Sequence, residues 1–274
     1  MLERIIPSGG EKIPVIGMGT WQSLNVSGAA ALQQAEQVVA AWAGAGGRLI
    51  DSSPMYGKAE EVIGEITAGK SYADSLFYAT KVWTTGGREG IAQMENSFRK
   101  MKRKTIDLMQ IHNLVDWKTH LPQLRQWKTE GRIRYIGITH YTDSSHEELQ
   151  RIIEKEKPDF VQFNYSLLNR DAEKRLLPAA QHNGVATLIN RPFGEGSMLR
   201  LLAGKKLPDW VTAQGIQGWA DAILRYIIAH PAVTCVIPAT SIPEHALANT
   251  RAGKGIVPDE DFCKRLVAYV KEIL

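Results

Sequence analysis

Arg48-Leu49-Ile50-Asp51, Leu76-Phe77-Tyr78-Ala79-Thr80 and Ile106-Asp107-Leu108-Met109-Gln110-Ile111 are three short apolar runs, with helical stretches at 58–67 and 88–101 between them. Runs of this length with little polar alternation suit strands covered on both faces. The same rhythm extends in both directions. Upstream, Val15–Gly19 reads as a strand and 28–43 as a helix, with Leu32, Ala35, Val39 and Trp42 on one face. Downstream, strands at 133–138, 159–162, 185–189 and 234–237 alternate with helices at 118–129, 144–156, 171–182 and 212–229. Ser144 or Ser145, just before Glu147 and Glu148, is placed to cap the helix at 144–156. A long irregular stretch is expected up to about 211, a helix from Pro243, and a last helix over 259–272.

About eight strand–helix units with no break in composition favour closure over an open doubly wound sheet. The expected fold is α/β, one (β/α)8 TIM barrel domain over 1–274, with a hairpin around Ser8-Gly9-Gly10 and a C-terminal helix. A chain of 274 residues suits such a domain, which typically runs to about 250 residues. The segment Gly17-Met18-Gly19-Thr20 is too short for a dinucleotide fingerprint of the doubly wound type.

Composition narrows the function. Hydrophobic residues make up 44% and charged residues 23%, as in ordinary globular domains. A net charge of +4, with the basic run Arg99, Lys100, Lys102, Arg103 and Lys104 at a helix end, gives no nucleic-acid footprint. No apolar run is long enough to span a bilayer, and the first residues lack a signal-peptide core, so no membrane partner and a cytoplasmic location are expected. Two cysteines outside any CxxC unit imply no disulfide framework, and seven scattered histidines imply no metal. A monomer acting on a small molecule is the expectation.

In a closed barrel, chemistry collects at the C-terminal ends of the strands. There the sequence puts Asp51 with Ser52, Ser53, Met55 and Tyr56 after it, then Lys81, then His112. Three consecutive strands thus deliver a carboxylate, a phenol, an ammonium and an imidazole. A lysine cation favours phenolate and lowers a tyrosine's pKa. Asp51 can pair with Lys81, and His112 can donate a hydrogen bond to a substrate oxygen. These parts fit general acid catalysis with support for a developing alkoxide. Thr139-His140 and Gln162 end later strands, and Gly194 and Gly196 in the irregular stretch either only make turns or permit a close backbone approach.

Several stretches together carry a family resemblance. They are Gly17–Trp21, Gly47–Gly57, Ala79–Trp83, Asp107–His112, Ile136–Thr139, Gln162–Ser166 and Val236–Ser241. The chain resembles the aldo-keto reductases from residue 13 to about 250. The resemblance implies hydride transfer from NADPH, with NADH accepted, to the carbonyl of an aldehyde or ketone. Asp51, Tyr56, Lys81 and His112 would be the catalytic set, with Tyr56 as proton donor. Thr139, His140 and Gln162 would hold the nicotinamide amide. Gly19, Thr20, Trp21 and Asp51 would complete the cofactor side, with Thr240, His245 and Asn249 near the adenosine phosphate. Trp21, Met55, Trp83 and Trp117 would line the substrate mouth.

Two positions depart from that pattern. Asn190, followed by Arg191-Pro192-Phe193, stands where the family often stacks an aromatic on the nicotinamide, leaving Arg191 or Phe193 as substitutes. Ala239 and His245 stand where lysine and arginine would meet the 2′-phosphate, leaving Arg191, Arg200 or Arg251 as other donors. The competing reading is a cofactor-binding regulatory or interaction subunit with little turnover. Sugar-phosphate isomerisation or aldol chemistry on the same fold would need a Schiff-base lysine or paired carboxylates.

Overall fold

The computed structural model describes residues 1–274. A two-stranded antiparallel hairpin, β1 (Glu3–Ile5) and β2 (Lys12–Pro14), comes first. Eight parallel strands follow: β3 (Met18–Gly19), β4 (Leu49–Asp51), β5 (Phe77–Val82), β6 (Ile106–Ile111), β7 (Ile133–Thr139), β8 (Phe160–Asn164), β9 (Ala186–Asn190) and β10 (Cys235–Val236). They lie in sequence order in one sheet. Parallel bridges Ile16↔Val236 and Gly19↔Ala239 join its two edges, so the sheet closes into a barrel. The two strands at that seam, β3 and β10, are each two residues long. The expected strand Val15–Gly19 therefore enters the sheet mainly at its last two residues.

The apolar residues divide into two cores. Ile6, Ile13, Leu49, Phe77, Ala79, Leu108, Tyr135, Phe160, Ala186, Leu188, Cys235 and Ile237 fill the barrel interior, with Ile6 and Ile13 brought in by the hairpin. Alternate strand residues such as Ile50, Tyr78, Met109, Ile136, Val161 and Ile189 join the larger core with the surrounding helices. The two-residue period of a strand produces that division. One row along it, the inward side chains change character: Asp51, Lys81, Gln110 and Gln162 are polar and buried.

The helices follow the sequence pattern with a few corrections. Helices α1 (Ala29–Gly44), α2 (Ala59–Thr67), α3 (Gly87–Lys100) and α4 (Trp117–Thr129) agree with the expectation to within a residue or two. Helix α5 (His146–Glu156) begins two residues later than expected, and neither Ser144 nor Ser145 gives it a side-chain cap. Those hydroxyls pair instead with Thr142 Oγ1, at 3.0 and 3.2 Å. The expected helix 171–182 is broken: Asp171–Glu173 is a 3₁₀ turn, and α6 runs only over Leu176–His182. The break falls at Arg175, whose φ is −144°, and Glu173 accepts hydrogen bonds from Tyr165, Tyr226 and Arg170. The irregular stretch holds two short helices, α7 (Ser197–Leu201) and α8 (Asp209–Thr212), and α9 (Trp219–Ala229) starts well after 212. Gly215 at φ +76° and Gly218 interrupt the pattern there. Helices α10 (Pro243–Arg251) and α11 (Glu260–Ile273) end the chain, the latter capped by the Asp259 carboxylate on Phe262 N. No helix is long and apolar enough to cross a membrane.

Candidate active site

Asp51 ends β4 inside the barrel mouth, and its two oxygens organise everything near it. Oδ2 accepts from Lys81 Nζ at 2.6 Å; Oδ1 accepts from Gln110 Nε2 at 2.7 Å and Gln162 Nε2 at 3.1 Å. Lys81 also donates to Ser52 O at 2.7 Å and is fully buried. Strand β5 runs to Val82, so Lys81 is a strand residue held rigidly, not a loop residue. Its inward position and that of Gln110 are register partners, and Gly137 is next in the same row. A Cβ at Gly137 would lie 2.7 Å from Gln110 Cγ, so glycine opens the room the amide occupies. Burial opposes the Lys81 charge, yet Asp51 and then Tyr56 outweigh it and raise the ammonium pKa above its ordinary value.

The chain leaves β4 in a tight turn that presents Tyr56. Tyr56 N donates to Ser53 O at 3.0 Å, and Gly57 follows at φ +63°. A side chain at Gly57 would strike Asn25, whose side-chain Oδ1 accepts from Lys58 N at 3.0 Å. Lys81 Nζ lies 5.0 Å from the centroid of the Tyr56 ring. The sequence expectation was that Lys81 lowers the phenol pKa. It does pull in that direction, but burial is larger and the Asp51 charge adds to it, so the net shift is upward. Tyr56 therefore keeps its proton at neutral pH.

His112 follows β6 and packs edge-on against Tyr56, with ring centroids 5.6 Å apart. Its Nδ1 is 2.9 Å from Ser53 Oγ. Burial first, then the Lys81 cation and His140, lowers its pKa to about 2, so the ring is neutral. The turn after it is strained: Asn113, Leu114 and Asp116 all have φ near +50°. Two bonds hold that turn. Asn113 N donates to Thr139 Oγ1 at 3.4 Å, and the Asp116 carboxylate accepts from Gly86 N at 2.8 Å. Asp51, Tyr56, Lys81 and His112 are thus one cluster, as the strand ends predicted. Sequence reasoning passed over Ser53 and did not give Gln110 a place in the site, although both stand at the strand ends it singled out.

The residues expected on the cofactor side separate into three groups. Thr20 is buried and commits its hydroxyl to Asp51 O and Ser52 Oγ, at 2.9 and 3.0 Å, beside Gly19 at the barrel seam. Trp21, Met55 and Trp83 are exposed at the mouth, and Trp117 is partly buried. Thr139, His140, Gln162 and Asn190 form the second group. His140 Nδ1 accepts from Tyr141 N at 3.0 Å and Thr142 N at 3.3 Å, which places its proton on Nε2. Asn190 Nδ2 donates to His140 O at 3.1 Å, and the side-chain oxygen of Asn190 is buried with no partner. An unpaired buried acceptor beside an imidazole donor fits a carboxamide, which carries both complementary groups. The residues present therefore suit a nicotinamide.

The third group lies further out. Gly194 and Gly196 adopt φ of +55° and +80° in the turn before α7. Phe193 packs against the outer core, while the Arg191 guanidinium covers Tyr141 at 4.1 Å and pairs with Glu195 at 2.7 Å. Thr240 Oγ1 accepts from Ile242 N at 3.1 Å just before α10; His245 is exposed on its first turn, and Asn249 is buried. Arg251 sits at the opposite end of α10, bonded to Gln217. Arg200 is exposed on α7.

Comparison with known proteins identifies the family. The model of the aldo/keto reductase family matches residues 15–269. The chain belongs to the aldo-keto reductase family. It is 28% identical over 245 residues to the methylglyoxal reductase YeaE of Escherichia coli K12, covering 86% of this chain and 84% of that protein. It is 30% identical over 201 residues to an aldo-keto reductase of Mycobacterium sp. strain KMS, covering 69% and 67%. A Klebsiella pneumoniae aldo/keto reductase, solved with NADP and acetate, superposes with a TM-score of 0.84 at 26% identity over 98% of this chain and 96% of that one. One from the same organism in complex with NADPH gives 0.82 at 26% identity, covering 100% and 95%. The family supports oxidoreductase activity on carbonyl compounds.

Proposed function

We propose that this chain reduces small, uncharged aldehydes or ketones to alcohols, with NADPH preferred and NADH accepted. The observation that carries the reading is the buried Asp51–Lys81 pair, with Lys81 Nζ 5.0 Å from the Tyr56 ring centroid and the His112 ring edge-on to Tyr56 at 5.6 Å. When bound, the reduced nicotinamide supplies a hydride to the carbonyl carbon. Tyr56 gives its hydroxyl proton to the carbonyl oxygen. The Lys81 ammonium, held by Asp51 and Ser52, then stabilises the phenolate left behind. His112 holds the carbonyl oxygen by a hydrogen bond without adding a charge. Thr139, His140, Gln162 and Asn190 would hold the carboxamide, with Gly194 and Gly196 near the diphosphate and Thr240, His245 and Asn249 near the adenosine.

The substrate class rests on the mouth. Its exposed side chains include Trp21, Met55 and Trp83, and Arg191 is already paired with Glu195. Nothing there favours a strong anion, and the Escherichia coli relative is named for a neutral dicarbonyl. Ala239 and His245 supply no fixed cation for a 2′-phosphate, so discrimination against NADH should be modest.

The test is loss of NADPH absorbance with methylglyoxal, then with an aldehyde carrying a carboxylate. Turnover of the first at least as fast as the second is expected. NADPH binding without turnover of any activated aldehyde would sink the reading and favour a regulatory subunit.

A further inference from the structure

Ser53 is fully buried, and its Oγ has two partners. It accepts from Met55 N at 3.2 Å and lies 2.9 Å from His112 Nδ1. A serine hydroxyl has one proton and can accept two bonds. If Nδ1 carried the ring proton, Ser53 would accept from both neighbours. Its own proton would then have no acceptor in a buried position, which is costly. If Ser53 donates to Nδ1 instead, every group is satisfied. The ring proton then sits on Nε2, the nitrogen that no protein group bonds.

We infer that Ser53 is a positioning residue that locks His112 in its Nε2–H tautomer, so that the imidazole meets substrate as a donor. The inference rests on the carbonyl-reductase reading for its purpose but not for its geometry. A substrate carbonyl oxygen needs a donor. A ring free to switch tautomers would offer it a lone pair part of the time. Ser53 and Tyr56 belong to one turn, because Ser53 O accepts from Tyr56 N. The turn that presents the proton donor therefore also sets the protonation pattern of its neighbour.

The experiment uses histidine-labelled protein and long-range proton–nitrogen correlation at neutral pH without substrate. Loss of signals in His112→Asn assigns the ring among the seven histidines. The native protein should show Nδ1 as acceptor and Nε2 protonated. Ser53→Ala should move His112 towards a mixture of tautomers and lower kcat/KM for methylglyoxal about tenfold, with the Kd for NADPH unchanged. A purely structural serine would lower Tm without moving the ring nitrogens. A proton on Nδ1 in the native protein overturns the inference. So does a Ser53→Ala variant with tautomer and kcat/KM both unaltered. If the native ring is Nε2–H and Ser53→Ala shifts it, in a protein that reduces no aldehyde, the tautomer lock stands and the carbonyl-reductase reading is retired, so the two failures are distinguishable.

Discussion

The two ends of the barrel interior are built from the same eight strands by opposite rules. At the hairpin end, Phe77, Tyr135 and Phe160 pack ring against ring, with centroids 5.6–6.1 Å apart, closed by Ile6 and Ile13. At the mouth, Asp51, Lys81, Gln110 and Gln162 fill the equivalent space with a charge pair and two amides. The aromatic layer gains stability simply by leaving water. The polar layer is stable only because each member answers another; a buried charge or amide without its partner is strongly unfavourable. One layer holds the barrel shut and the other is held in readiness by it.

The largest separation of the two should come from Tyr56→Phe. Steady-state reduction should fall about 10²–10⁴-fold, while NADPH binding and Tm stay near the native values. Undiminished reduction of an unactivated ketone would break the assignment of the mouth. The converse is Phe160→Ala, fully buried at the other end. It should cost about 3–5 kcal/mol in urea unfolding, with kcat per folded molecule little changed. A large fall in kcat without loss of stability would mean that the layers are not separable.

A third measurement probes the neutral ring at the mouth. The folded pKa of His112 is depressed to about 2 from 6.5, so below pH 6.5 the unfolded chain takes up a proton that the folded site refuses. Stability contributed by this group is complete above pH 6.5 and is lost as pH falls, by about 1.4 kcal/mol per pH unit. His112→Gln should remove about one proton's worth of slope from the urea midpoint between pH 6.5 and 5. An unchanged slope would show that the ring titrates normally. The smallest effect is expected from Asn190→Leu. The variant loses the Nδ2 bonds to His140 O and Gln162 Oε1 but also an oxygen that has no partner, so Tm should fall little, while NADPH affinity measured by tryptophan quenching should weaken about tenfold. Equal affinity would remove Asn190 from the cofactor site.

The strand–helix count and the four residues at consecutive strand ends were legible in the chain. They depend on spacing along one strand or helix, which geometry converts directly into facing. Asp51, Lys81 and His112 could be placed together because β4, β5 and β6 are neighbours in sequence and in the sheet. Contacts between distant segments set the rest. The helix expected over 171–182 breaks at Arg175, two residues after a glutamate that is tied to two tyrosines, one of them 53 residues away. The direction of the Tyr56 pKa was decided by burial, which a list of neighbouring charges does not contain. The left-handed Leu114 beside His112 has no signature in its residue type. The sequence by itself determined which functional groups reach the mouth of the barrel. Only the tertiary structure decided which protons they keep, because desolvation and hydrogen-bond satisfaction are properties of the closed, packed site.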